Sequence, residues 1–173
     1  VTIMHMAHDL DAGDIIAQTA TPIDPDETAP ELYERLARMG AELLVQVVAE
    51  LAAGTASRTP QDHEKATLAP MLSKELSPMD WNHTALQLHN QVRGLLPWPA
   101  AVTTLNGSRC KVFATTVLEE HTQAEPGTIL RADKAGIDLA CGEGTVLRID
   151  QLQPDGGKRM KAADYLRGHP IVL

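Results

Sequence analysis

The sequence predicts an α+β chain built in more than one part: a piece of an α/β layer first, then a small all-β unit. Three observations predict it. Leu32, Leu36, Met39, Leu43, Val47 and Leu51 recur every three or four residues, directly after two short strand patterns. Residues 54–79 are rich in Thr, Ser, Pro and charge and show little periodicity. Beyond Pro99 the apolar spacing changes to strand runs broken by Gly.

Residues 2–6 and 15–23 read as strands, joined by an acidic, Gly-containing loop, His8-Asp9-Leu10-Asp11-Ala12-Gly13-Asp14. Thr28-Ala29-Pro30-Glu31 has the form of a capping box with Pro in the first turn, and Gly54 is a natural stop for the helix that follows. The helix stripe needs a sheet to cover, and two short strands are a small one, so the rest of that sheet is expected upstream of Val1. Residues 55–79 read as a linker. Thr84-Ala85-Leu86-Gln87 is a second capping box, opening a helix striped by Ala85, Leu88, Val92 and Leu95 and ended by Pro97. Residues 101–105 and 109–118 flank Asn106-Gly107, a strong hairpin signal. Residues 127–132, 137–140 and 145–152 supply three more strands, and 161–167 a last short helix. Five short strands closed by Gly turns indicate a small barrel or a sandwich.

Composition narrows the function classes. At 43% hydrophobic and 22% charged, the chain has the balance of a soluble globular protein. Only five residues are aromatic, so the core must rest on aliphatic side chains and Met. No apolar run reaches the ~20 residues of a membrane span, and no secretory signal opens the chain. It begins with Val1 rather than Met, as a fragment or processed product would. Cys110 and Cys141 fall in strand segments and read as small core residues in a reducing cytoplasm. The net charge of −8 lies in residues 1–78, while 79–173 balance, so the second part is where an anionic partner is tolerated.

Taken alone, Leu10-Asp11-Ala12-Gly13-Asp14 reads as a solvated turn. Its other reading is a carboxylate held at the end of a sheet strand, where α/β sites are built and where it can accept or orient a proton. The seven His show neither HExxH nor Cys/His metal spacing, and no Gly-rich phosphate loop or Ser nucleophile elbow occurs. His89 reads as a packed or surface residue, and Trp81 and Trp98 as anchors packing the second helix on the strands.

The wider context carries a resemblance. Thr2-Ile3-Met4-His5-Met6, a spacer, and Leu10-Asp11-Ala12-Gly13-Asp14-Ile15-Ile16 resemble the signature of the folate-dependent formyltransferases. Leu72-Ser73-Lys74-Glu75, Asp80-Trp81, Leu88-His89-Asn90-Gln91-Val92-Arg93, Pro97-Trp98-Pro99 and Thr103-Thr104-Leu105-Asn106-Gly107 follow in order. Together they resemble the C-terminal half of the methionyl-tRNA formyltransferase family, nearly end to end. Where the family usually has an acidic residue and a Gly before the Leu-Asp pair, this chain has Ala7, His8 and Asp9.

The resemblance implies a fold, an activity and a set of residues. The fold is the truncated end of a Rossmann-like formyltransferase domain in residues 1–54, a linker over 55–79, and an OB-like five-stranded barrel with its helix over 80–173. The activity is formyl transfer from 10-formyltetrahydrofolate to the amino group of initiator methionyl-tRNA, without a metal, in the cytoplasm. Asp11 is the implied catalytic aspartate. Most folate contacts, and an Asn-x-His pair, belong upstream of Val1; Asp9, Leu10, Ala12 and Gly13 are the candidates within the chain. The isolated chain is therefore expected to lack turnover. For tRNA the candidates are Lys74, Arg109, Lys111, Lys158, Arg159 and Lys161, with Arg131, Lys134 and Arg148 as further cations. Phe113 and Tyr165 are too few for much base stacking, so phosphate and shape contacts are expected. Neither DNA nor membrane is an expected partner. The family is expected to be monomeric, with self-association of a fragment through exposed strand edges. Two other readings stand beside this one: an RNA-binding module without catalysis, and a related formyltransferase or folate hydrolase.

Overall fold

A computed structural model describes residues 1–171, which divide into two units, the first Val1–Met71 and the second starting at Leu72. The first unit begins with β1 (Thr2–Met4) and β2 (Ile15–Gln18), paired antiparallel, and continues into α1 (Ala29–Ala53). Thr28 caps α1 as its sequence indicates: the Glu31 carboxylate accepts from the Thr28 backbone N–H at 2.9 Å and from its hydroxyl at 2.6 Å. Gly54 ends the helix in the left-handed region, at φ 69. The helix packs on β1 and β2; of the expected stripe Val47 is buried at 1% exposure, Leu32, Leu36, Met39 and Leu43 are half-buried, and Leu51 is exposed. Its other side is apolar too, leaving Tyr33, Val45 and Val48 exposed.

The expectation of a Rossmann-like layer is met only in part by residues 1–71: the two strands and the helix are there, and parallel pairing is not. Their only ladder is a two-stranded antiparallel one, because a short loop can return a strand only beside itself; parallel pairing needs a crossover. Residues 55–79, read as a linker, make specific bonds. Thr59 forms a two-way bridge with Ile15, at 2.8 and 2.9 Å, and the Ser57 hydroxyl donates to Ile16 O at 2.6 Å. Farther on, Val102 N–H donates to Ser77 O and Met79 N–H to Val102 O, within the second unit.

That unit holds α2 (Ala85–Gly94), β3 (Ala101–Leu105), β4 (Ser108–His121), β5 (Ile129–Asp133), β6 (Gly136–Ala140), β7 (Thr145–Pro154), β8 (Met160–Lys161) and α3 (Ala162–Gly168). Thr84 accepts from Gln87 N–H while Gln87 Oε1 accepts from Thr84 N–H, completing the second capping box. Asn106 and Gly107 both take positive φ, 47 and 76, the geometry a two-residue hairpin of primed type requires.

The expected closed barrel of five strands is also corrected. The strands form a six-stranded sheet in the order β3-β4-β7-β6-β5, with β8 added to β7. Among the described residues no pairing joins β3 to β5, so the sheet stays open. The physical reason lies at the β3 edge, where residues 77–79 take up the backbone of Val102 that closure would need. Bulges in β4 near Phe113 and after Leu118 break its register with β7 and bend the strand.

One core serves the unit. Ala85, Leu88 and Val92 from α2 meet Val112, Ile137, Leu147, Ile149 and Leu152 from the sheet and Tyr165 from α3. Cys110 and Cys141 are buried in or beside it; burial pushes both thiols up, Cys141 to about 11. On the other face Asp138, 1% exposed, accepts from Arg148 Nε at 2.7 Å and Arg131 Nε at 2.7 Å. Arg131 also grips both carboxylate oxygens of Glu120 at 2.7 Å.

Two outcomes follow from this packing. Leu88→Ala should cost about 2–5 kcal/mol in urea unfolding of the second unit, with an unchanged m-value. The second concerns pH. Burial pushes the Asp138 carboxyl up, but the bonds from Arg148 and Arg131 outweigh it, and its pKa lies below the ordinary value. A depressed carboxylate stabilises the fold above the unfolded pKa and stops doing so as pH falls through the folded one. Asp150 works in the opposite sense, because burial raises it. Asp138→Asn should therefore lower the urea midpoint at pH 7 and flatten its decline below about pH 4.

Candidate functional site

Asp11 lies in the loop between β1 and β2. His5 N–H donates to Asp14 O at 2.9 Å, closing the neck of that loop. Gly13 is what permits so close an approach: a Cβ there would stand 1.7 Å from His5 O. Asp11 is exposed and takes φ 54, a left-handed conformation that Asp adopts more readily than most L residues. The loop is tied from downstream. Arg58 Nε bonds Asp14 Oδ2 at 2.6 Å, and the Gln61 side-chain amide donates to Asp11 O at 2.8 Å and Gly13 O at 2.6 Å.

Leu10, Asp11 and Ala12 form one wall of an open cavity of about 580 Å³. The facing wall is Gln61, Asp62, His63, Lys65 and residues 66–69. This volume falls in the range of small-molecule sites. Of the residues singled out in sequence, Gly13 is buried behind the loop, and Asp9 is exposed beside His8 at 3.3 Å, outside the cavity lining. The 61–69 wall went unrecognised in the sequence, because its relation to Asp11 is a contact across about fifty positions with no local pattern. Among the described residues no group of three or more His, Cys, Asp or Glu could hold a metal ion. Nor is any helix among them long and apolar enough to cross a membrane.

The second unit gathers most of the cations picked out in sequence. Residues directly opposite in an antiparallel ladder share a face. The pairs Thr104↔Arg109, Lys111↔Gln153 and Gln151↔Lys161 thus put Arg109, Lys111 and Lys161 on the face opposite Cys110, Val112 and Leu152 of the core. Arg159 joins them: its guanidinium lies over the Phe113 ring, 4.6 Å from the centroid, and its Nε bonds Gln151 at 3.0 Å. Lys158 is exposed beside it. Lys74 lines a cavity of about 470 Å³ together with Arg109, Trp81, Thr103 and Thr104. Arg131 and Arg148 are instead engaged by Asp138 and Glu120, and Lys134 sits in the β5–β6 turn.

The aromatic anchors divide. Trp81 is half-buried against the core and donates its indole N–H to Thr103 Oγ1 at 3.3 Å. Trp98 does not pack as expected: it is 52% exposed, and the anchors at that turn are the buried Pro99 and Ala100. His89 is buried, 3.0 Å from the Thr115 hydroxyl.

Residues 71–170 match the family described as "Formyl transferase, C-terminal domain", and residues 1–48 match "Formyl transferase". Methionyl-tRNA formyltransferase of Bacillus subtilis (strain 168) is 44% identical over 97% of this chain and 53% of its own length. The same-named protein of Enterococcus faecalis is 43% identical over 97% of this chain and 54% of its own length. The chain thus spans about half the length of these relatives. Among solved structures, HypX from Aquifex aeolicus in complex with tetrahydrofolic acid superposes with a TM-score of 0.68 at 18% identity, covering 95% of this chain and 29% of that one. WlaRD, a sugar 3N-formyl transferase, gives 0.65 at 17%, covering 86% and 53%. These two likenesses bear on the fold, which has mixed α and β content around a sheet. With a family model covering more than half of it, this chain belongs to the formyl transferase family.

Proposed function

We propose that this chain supplies the aspartate-bearing end of the catalytic domain and the tRNA-facing domain of a methionyl-tRNA formyltransferase. The observation that carries the reading is Asp11, an exposed carboxylate held at φ 54 on the rim of a cavity of about 580 Å³. Relatives named for this activity match nearly all of the chain.

The chemistry assigns each part a task. The amino nitrogen of methionyl-tRNA attacks the formyl carbon of 10-formyltetrahydrofolate. Negative charge grows on the formyl oxygen, and donors from outside this chain stabilise it. The tetrahedral adduct collapses, the bond to the folate nitrogen breaks as that nitrogen takes up a proton, and a proton leaves the attacking amine. Asp11 acts on that proton, or orients the group that takes it. Folate contacts within the chain would come from the loop of Leu10, Ala12 and Gly13, with Asp9 beside it. The cationic face of Arg109, Lys111, Arg159 and Lys161, with Lys74 and Lys158 nearby, would meet the tRNA backbone, with phosphate as the main contact.

Two outcomes test this. In the full-length protein, Asp11→Asn should lower kcat/KM for formyl transfer by about 10²- to 10⁴-fold, and the 173-residue chain alone should show no turnover. Activity equal to the unsubstituted enzyme would remove Asp11 from the mechanism. For the second outcome, Lys111→Ala and Arg159→Ala should each weaken tRNA binding. Each should also reduce the slope of log K against log salt by about 0.7–0.9, read by fluorescence anisotropy. Lys134→Ala should leave the slope unchanged. Equal effects at all three positions would mean that the sheet face is not the tRNA surface.

A further inference from the structure

We infer that Gln61 is a positioning residue for Asp11, holding the loop in the one conformation that presents the carboxylate; this rests on the reading of Asp11 as the catalytic aspartate. The side-chain nitrogen of Gln61 carries two protons, and the geometry commits both. One goes to Asp11 O at 2.8 Å and the other to Gly13 O at 2.6 Å. Two carbonyls that bracket Ala12 therefore turn toward a single atom, and that fixes the curvature of the loop between them. A non-glycine residue keeps positive φ only where its surroundings over-determine it, and Asp11 does so at φ 54.

The amide is itself fixed. Two residues before it, Thr59 exchanges both backbone bonds with Ile15. Arg58 bonds Asp14 at 2.6 Å and Ser57 bonds Ile16 O at 2.6 Å. Residues 57–61 thus run along β2 and deliver the Gln61 amide to the loop. Gln61 also lines the Asp11 cavity, so the same side chain shapes the site and sets its carboxylate. Its further contact is to Met4 Sδ, at 3.8 Å, and none runs to the Asp11 carboxylate, so it acts through loop geometry.

Gln61→Glu is the sharpest variant. It keeps size and reach but aims carboxylate oxygens at two carbonyl oxygens, so the loop must swing away. Protonating that carboxyl restores one donor. Formyl transfer to methionyl-tRNA should be followed across pH 5.5–8 in the full-length protein, for the unsubstituted enzyme, Gln61→Glu, Gln61→Ala and Asp11→Asn. We expect both Gln61 variants to lose about 10- to 100-fold in kcat with little change in either KM. The ratio of Gln61→Glu to unsubstituted activity should rise as pH falls, whereas that of Gln61→Ala should stay flat. In the 173-residue chain, amide exchange of residues 11–14 should quicken in Gln61→Glu while the Thr59–Ile15 bridge stays protected, which separates loop release from unfolding.

Full kcat in both Gln61 variants beside an inactive Asp11→Asn would overturn the inference and leave the role of Asp11 standing. A pH-independent ratio in Gln61→Glu, or loss of the Thr59–Ile15 protection along with the loop, would reduce Gln61 to a structural tie and overturn it as well. An active Asp11→Asn would remove the parent reading, and the inference with it.

Discussion

Both edges of β7 are in use, and the second unit is organised around that fact. Along one edge β7 pairs with β4, from Cys110↔Pro154 to His121↔Thr145. Along the other it takes β6 at Val146–Ile149 and then β8 at Gln151 and Leu152. A strand paired on two sides has little freedom of register, because a slip of one residue would turn Leu147, Ile149 and Leu152 out of the core and drive Arg148 into it. The same register brings Asp138 opposite Arg148 and lines up the cationic residues on the sheet's other face. Hydrophobic burial and charge placement are thus two results of one ladder.

What could be read from the sequence was what is local. Two capping boxes, a long helical stripe and an Asn-Gly hairpin each depend on a few neighbouring residues, and each stands where the pattern put it. The departures are non-local. Closure of the sheet turned on whether the β3 edge was free, and Ser77 and Met79 occupy it from outside any strand pattern. β8 is two residues long and has no periodicity to detect. Trp98 looked like an anchor by size alone, but its flanking residues Pro99 and Ala100 take the buried place.

The candidate site shows the same division. Asp11 stood out through resemblance and not through its own five residues, which spell an ordinary turn. Gln61 could not be found that way, since one amide reaching two carbonyls forty-eight and fifty positions earlier leaves no trace in spacing. The cations were legible as an inventory. Which of them share a face depends on cross-strand register, and which are withdrawn depends on a single buried carboxylate. Asp138 engages Arg131 and Arg148, two side chains that composition alone would rank with the rest.

The two buried thiols have a practical side. The chain holds only Cys110 and Cys141, both screened from solvent, and burial displaces both thiols upward, Cys141 to about 11, so little of either is thiolate at neutral pH. Maleimide or disulfide reagents should pass over the folded 173-residue chain. A cysteine introduced at an exposed position would then be its one reactive handle, so a fluorophore or spin label could report on either unit without first removing a native residue.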